Sequence, residues 1–150
     1  FSIEHAALLD AVSQAQAVVE RRNTIPILAN VLMEADGDGV SFKATDLDIE
    51  VIDRAIAQVE RPGGTTVSAV LFHEIVRKLP DGALVQIVED QAQGRLEVTA
   101  GRSHFSLATL AKEDFPVMAT SDYDANFSCE AKVLRRTTKV LQDPEKRAWR

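Results

Sequence analysis

The stretch VSAVLFHEIVRKLPDG, residues 67–82, combines a short β-like start, a helical pattern and a stop. Its apolar side chains recur three and four residues apart, at Leu71, Phe72, Ile75, Val76 and Leu79. This spacing is typical of an amphipathic helix that buries one face. Pro80 cannot continue the helix, and Gly82 suits the turn that follows. The stretch therefore predicts a strand, a helix and a tight turn, in that order.

The chain begins with the same order. FSIEHAALLDAV, residues 1–12, opens with a β-like start, and a helical pattern follows at Ala7, Leu8, Ala11, Ala15 and Val18. Behind each helix lie two strand-like runs joined by a turn, DGDG at 36–39 and QAQG at 91–94. Short polar, glycine-containing connections of this kind favour β-hairpins. The sequence therefore predicts the same order, one strand, one helix and then further strands, in two successive segments.

A third start, FSCEAKVLRRTTKVL, occupies residues 127–141. The three copies begin about 66 and then about 60 residues apart. We interpret them as two half-domains and the opening of a third, with chance similarity of short amphipathic segments as the alternative. RPGGTT, residues 61–66, lacks the lysine of a phosphate-binding loop and is interpreted as the linker between the halves.

Three acids, Asp46, Asp48 and Glu50, follow the first hairpin in ATDLDIEV, residues 44–51. Alternate residues of a strand share a face. The apolar positions are even before these acids and odd after them: Val40, Phe42 and Ala44, then Leu47, Ile49 and Val51. The change of parity predicts a bend or an end near Thr45 and Asp46. We expect Asp46 at a corner, with Asp48 and Glu50 on the solvated face of a new strand.

A metal-dependent enzyme built on these three acids is the competing interpretation. Its carboxylates would have to converge within about 2.0–2.6 Å of one ion, whereas same-face neighbours on a strand lie about 6–7 Å apart. The three histidines show no ligand spacing, and Cys129 lies in a β-like start where a small buried thiol is usual. We expect no catalytic residue, no metal and no cofactor.

Composition limits the class of protein further. The 150 residues, of which 45% are hydrophobic, suffice for one compact domain or for one domain and part of another. IPILANVLM, at 25–33, is too short to span a membrane, and a single cysteine forms no internal disulfide, so a reducing cytoplasm is the expected compartment. The net charge of -6 argues against a generally basic nucleic-acid binder, although basic residues outnumber acids from Phe127 onward.

Three segments in order closely resemble the first domain of the bacterial DNA polymerase III beta subunit family, the sliding clamps. They are RRNTIPILANVLMEADGDGVSFKATDLDIEV at 21–51, RPGGTTVSAVLFHEIVRKLPDGA at 61–83 and GRLEVTAGRSHFSLATLAKEDFP at 94–116. The resemblance implies an α+β DNA clamp fold: two β-α-β-β-β half-domains with antiparallel sheets outside and two helices on the inner face. It also implies clamp domain 1 over residues 1–120, then a linker and a truncated start of clamp domain 2 over residues 121–150.

The function implied by the resemblance is that of a non-enzymatic processivity factor. Two subunits would close head to tail into a ring that encircles double-stranded DNA without sequence specificity and tethers the replicative polymerase. DNA polymerase III and the clamp loader would bind a pocket between the second and third domains, outside this chain. A metal-dependent enzyme using Asp46, Asp48 and Glu50 and an unrelated α+β interaction module remain the alternatives.

The resemblance also assigns residues to two surfaces. It places Arg22, Arg77 and the neighbouring Lys78 on the DNA side. Arg147 matches an arginine in a family stretch near DNA, where Ala148 and Trp149 replace two tyrosines and the Trp149 indole could stack on a base. For Arg77 and Lys78, compensation of a helix dipole is the simpler alternative.

GRSHFSLATL, residues 101–110, resembles the edge strand through which two subunits meet. Phe105 and Leu107 would pack across that interface, while Arg95 and Arg102 would meet acids. His104 stands where the family leads us to expect an arginine. An ordinary core strand is the alternative for Phe105 and Leu107.

Overall fold

The computed structural model describes residues 1–19, 24–116 and 128–134. The chain divides into two compact units, Phe1–Met118 and Ala119–Arg150. In the second unit the described residues include a helical turn at 131–134, and Cys129 is exposed rather than buried as expected.

The first unit repeats one order of elements. Its first half contains β1 (Ser2–Glu4), α1 (His5–Val18), β2 (Asn30–Asp36), β3 (Gly39–Thr45) and β4 (Glu50–Ile56). Its second half contains β5 (Gly63–Ser68), α2 (Ala69–Val76), β6 (Leu84–Asp90), β7 (Arg95–Ala100) and β8 (Ser103–Leu110). Short 3-10 helices lie at Pro26–Ala29 and Lys112–Asp114. The predicted β-α-β-β-β repeat and the α+β fold class are confirmed.

The two halves exchange their first strands. The antiparallel sheet runs in the order β1-β6-β7-β8-β5-β2-β3-β4, so that β1 pairs with β6 and β5 pairs with β2. Two residue pairs, Thr66 with Leu110 and Val67 with Thr109, join β5 to β8. At the opposite ends of the sheet Ser2 forms a bridge with Gln58, through reciprocal backbone hydrogen bonds of 2.9 and 2.8 Å. The sheet thereby approaches closure on itself, and neither half can form its own strand order without the other.

Burial sets the register between the halves at 64 residues rather than 66. With that offset Leu8 corresponds to Phe72 and Val12 to Val76, and all four are fully buried. Ser2 corresponds to Thr66. Ser2 pairs with Gln58, just after the last strand of the first half, and Thr66 pairs with Leu110, at the end of the last strand of the second half. The offset of 66 residues between the similar opening segments therefore differs by two from the offset that matches buried positions.

Both helices pack against the apolar face of the sheet and against each other. The alternation along β3 is responsible, because Val40, Phe42 and Ala44 all point into the core. Phe42 from β3 and Phe72 from α2 are among the largest fully buried side chains. Leu71, which the helical pattern had placed on the buried face, is 48% exposed.

The paired glycines of RPGGTT belong to β5 rather than to a linker. A Cβ atom on Gly64 would lie 3.0 Å from the backbone oxygen of Met33 on the neighbouring strand. Glycine therefore permits the close approach of β5 to β2 that joins the two halves.

The predicted corner at Asp46 is confirmed, but the faces after it are not as predicted. Strand β3 ends at Thr45, and Leu47 has a φ of 80°, which shows a tight turn. Leu47 and Ile49 are exposed, and Asp48 lies in the turn rather than on β4. Because residues 46–49 turn back on themselves, their parity does not continue into the next strand.

Candidate functional site

Strand β8 has an open edge. Residues Ser103–Ala108 pair with β7 on one side, while on the other side the pairing with β5 involves Thr109 and Leu110. Within the described residues, the segment 103–108 therefore has backbone groups free to extend the sheet. An unpaired strand edge is a template for strand addition by another chain.

The outward face of this edge carries a connected polar network. Glu97 on β7 receives a hydrogen bond from the Ser106 hydroxyl on its Oε1 atom, and its Oε2 atom lies 2.9 Å from Nε2 of His104. The other ring nitrogen of His104 lies 3.0 Å from the Thr99 hydroxyl. Arg95 donates to the hydroxyl and to the carbonyl oxygen of Ser106. This network connects Arg95 on β7 with His104 on β8 across the outward face of the hairpin.

Glu97 was not singled out from the sequence, although a signal was present. The hairpin register pairs Glu97 with Ser106 and Thr99 with His104, which places all four on the outward face. Once the turn at Gly101 and Arg102 is located, the sequence predicts that the Glu97 carboxylate lies directly opposite Ser106 and diagonal to His104.

Phe105 and Leu107 face inward from the same strand. Leu107 is 3% exposed and belongs to the core cluster, while Phe105 is half-buried and packs against that cluster. The predicted alternation along GRSHFSLATL is thus confirmed, with Arg102 exposed in the preceding turn. The arrangement leaves the Phe105 ring partly open and gives Leu107 its contacts within the domain.

The two predicted cations that can be located lie directly after α2. Arg77 caps the helix through its backbone N–H, which donates to the His73 carbonyl at 2.9 Å, and Lys78 N–H donates to the Ile75 carbonyl at 2.9 Å. Both side chains are exposed. Cations at a helix C-terminus are favoured by the helix dipole, so their position alone is explained without DNA. Arg22, Arg147 and Trp149 lie outside the described residues.

The helices themselves carry little positive charge. α1 has no lysine or arginine and exposes Asp10, and α2 exposes Glu74. Positive charge near the described helices is therefore concentrated at the end of α2.

The acids of the competing enzyme hypothesis do not meet at a cleft. Asp46 Oδ1 accepts backbone hydrogen bonds from Asp48 and Ile49, and these bonds, chiefly that from Ile49, lower the pKa of the Asp46 carboxyl. A cleft of about 700 Å³ lies instead beside β5 and β6, lined in part by Phe1, Glu60 and Arg61. Across the described ranges no group of three or more His, Cys, Asp or Glu side chains is arranged to bind a metal. The corner carboxylate has a local structural role.

A second open edge was not predicted. Strand β4 pairs with β3 alone along its length, and on its outward face Ile52 is 57% and Ile56 is 86% exposed.

No helix in the described part of the chain combines the length and apolar character needed to cross a membrane.

Comparison with known proteins agrees with these features. Residues 1–119 match the family described as DNA polymerase III beta subunit, N-terminal domain. A beta sliding clamp of Caulobacter vibrioides is 50% identical over 135 residues, which cover 90% of this chain and 36% of that protein. The beta sliding clamp of Escherichia coli K12 is 35% identical over 144 residues, which cover 95% of this chain and 38% of that protein.

A solved structure shares the fold as well. The crystal structure of the DNA polymerase III subunit beta from Pseudomonas aeruginosa superimposes with a TM-score of 0.86 at 36% identity, covering 93% of this chain and 37% of that one. The chain thus spans less than two fifths of the length of these relatives. The repeated half-domains, the open sheet edges and the match over residues 1–119 together show that the chain belongs to the DNA polymerase III beta subunit family and contains its N-terminal domain.

Proposed function

We propose that this chain acts as part of a DNA sliding clamp, which encircles double-stranded DNA and keeps the replicative polymerase on its template. The observation that carries the proposal is the match of residues 1–119 to the N-terminal domain of the family, together with 50% identity to a beta sliding clamp. In this proposal residues 1–120 form clamp domain 1, and residues 121–150 are a linker and the start of clamp domain 2. The protein is a non-enzymatic processivity factor of the cytoplasm.

Ring closure would use the open edge of β8. A second subunit would add its own edge strand along Ser103–Ala108 in a head-to-tail arrangement, as expected for heterologous contacts that close into a ring. Arg102 would face acids of the partner, as would Arg95 and His104, which hydrogen bonds hold in place. The partner strand would cover the exposed part of the Phe105 ring. Leu107 would contribute by holding the edge strand against the core.

DNA contact would be electrostatic and independent of base sequence. Arg77 and Lys78 present two exposed cations side by side, and Arg22, Arg147 and Trp149 complete the proposed DNA-binding set. Phosphate contacts of this type position a protein on DNA without reading bases, which permits sliding. DNA polymerase III and the clamp loader would bind elsewhere in the complete protein.

Topological retention is the test of encirclement. The complete protein encoded by the gene is loaded by the clamp loader of the same cell onto a nicked circular duplex and is then challenged with high salt. A sliding clamp remains on the circle and is released when the circle is cut, because a closed ring leaves DNA only over an end. Equal release from circular and linear DNA would contradict the proposal.

A further inference from the structure

His5 is a buried histidine that connects the two helices. It is the first residue of α1, is 3% exposed, and its Nε2 atom lies 2.9 Å from the carbonyl oxygen of Val76, the last residue of α2. A carbonyl oxygen can only accept, so Nε2 carries the hydrogen. Burial of both groups makes this hydrogen bond costly to leave unmade.

A second hydrogen bond holds the chain further along. The backbone N–H of His5 donates to the carbonyl oxygen of Ala83 at 3.0 Å. His5 therefore contacts both ends of the segment 76–83. Its Nδ1 atom also lies 3.8 Å from a carboxylate oxygen of Asp81, a weaker contact because Asp81 is fully exposed.

The segment held in this way contains Arg77 and Lys78. Leu79, directly after them, is 5% exposed, and its N–H donates to Val76 at 3.1 Å. The two cations thus lie between two buried anchors, Val76 and Leu79. Their side chains reach solvent, while their backbone N–H groups donate to the carbonyl oxygens of His73 and Ile75.

The symmetry-related junction, between the start of α2 and the end of α1, has neither the cations nor the histidine. With the offset of 64 residues, His5 corresponds to Ala69, whose methyl group cannot form the same hydrogen bond. Ser13 and Gln14 of α1 correspond to Arg77 and Lys78. Within the described residues, a buried histidine therefore contacts the helix end that is followed by two cations, the end of α2. The corresponding end of α1 has no such histidine.

We propose that His5 is a positioning residue for DNA binding, which acts through Val76 and Ala83 to hold Arg77 and Lys78 in place for phosphate contact. This inference rests on the proposed function. A backbone fixed before binding lowers the conformational entropy lost when the cations engage phosphates. His5 itself is buried and touches no DNA.

The test measures how DNA affinity of the complete protein depends on salt, with a duplex oligonucleotide as the probe. The variants are His5→Ala, His5→Gln, the double change Arg77→Ala with Lys78→Ala, and Val40→Ala. Val40 is fully buried in β3 and serves as a control for general destabilisation. Each lost phosphate contact lowers the slope of log affinity against log salt by about 0.9.

The double variant is expected to lose about two units of slope, and His5→Ala about one. Val40→Ala should lower the melting temperature and leave the slope unchanged. His5→Gln should recover most of the slope, because its amide N–H can donate to Val76. This rescue distinguishes positioning from a loss of stability.

The outcomes separate the two proposals. An unchanged slope in the double variant overturns the DNA role of Arg77 and Lys78. A reduced slope in the double variant, with His5→Ala behaving as Val40→Ala, overturns the role of His5 alone. If His5→Ala does not fold, His5→Asn replaces it, since its shorter amide should not reach Val76, and equal slopes for the Gln and Asn variants overturn the inference.

Discussion

The Oδ1 atom of Asp46 accepts a hydrogen bond from the backbone N–H of Ile49 at 2.7 Å. The same oxygen accepts the N–H of Asp48 at 2.9 Å, and Thr45 Oγ1 donates to the Ile49 carbonyl at 2.8 Å. Side chains thus replace strand pairing where β3 turns into β4.

Asp46→Ala should destabilise the protein at neutral pH and not at strongly acidic pH. The hydrogen bonds to Ile49 and Asp48 lower the folded-state pKa below the ordinary value of 3.8. Stability from a lowered carboxyl pKa is complete above the unfolded-state pKa and is lost as the pH falls through the folded-state value. Urea unfolding from pH 7 to pH 2 measures the effect. Asp48→Ala, which also removes one carboxylate but from an exposed residue, is the control. Identical pH profiles of stability for the two variants would contradict the prediction.

Leu107→Ala should cost about 2–5 kcal/mol in the free energy of unfolding, because it removes a buried side chain from the core. Chemical denaturation of the 150-residue chain measures this loss. Arg102→Ala, in the exposed turn before the same strand, should change stability by less than about 0.5 kcal/mol. A small effect for Leu107→Ala would show that its burial contributes little to the fold.

Arg102→Glu should weaken self-association of the complete protein by on the order of tenfold, about 1.4 kcal/mol, while leaving its melting temperature unchanged. The reason is that the exposed guanidinium faces a partner in the proposed ring and touches no core group. Sedimentation equilibrium at several salt concentrations measures the association constant. Lys43→Glu on β3 is a matched charge reversal away from the edge, and an equal effect there would rule out a specific contact.

Glu97 and His104 should show a coupling energy of about 0.2–1 kcal/mol in a double-mutant cycle of Glu97→Ala and His104→Ala. The value is small because the His104 side chain is 63% exposed, which weakens the interaction through solvent screening. Thermal unfolding of the four proteins at pH 6 gives the coupling. Additive effects within error would mean that the 2.9 Å contact contributes nothing to stability.

The double change Ile52→Lys with Ile56→Lys should reduce aggregation of the isolated chain with little change in stability. Both side chains are exposed on an open edge, where lysine discourages strand pairing between molecules. Light scattering during concentration measures the effect. Gln86→Lys with Val88→Lys adds the same charge to β6, a strand with neighbours on both sides, and should improve solubility less.

Local features of the sequence predicted the elements and their hairpins but not the strand pairing between the two halves. The helical spacing around Phe72 and Val76 identified α2, and the turn at 36–39 identified the first hairpin. The corner at Asp46 was also predictable, because its hydrogen bonds join residues four or fewer positions apart. The faces of Leu47 and Ile49 were not, since alternation holds only while a strand remains extended.

The sequence by itself determined the repeat, the inward and outward faces of β8 and the family resemblance. Only the tertiary structure decided the exchange of β1 and β5, the 64-residue register, the network at Glu97 and the contact of His5 with Val76, which is 71 residues away. Side-chain period is a local consequence of backbone geometry, whereas strand order and buried hydrogen bonds depend on which distant surfaces cover one another.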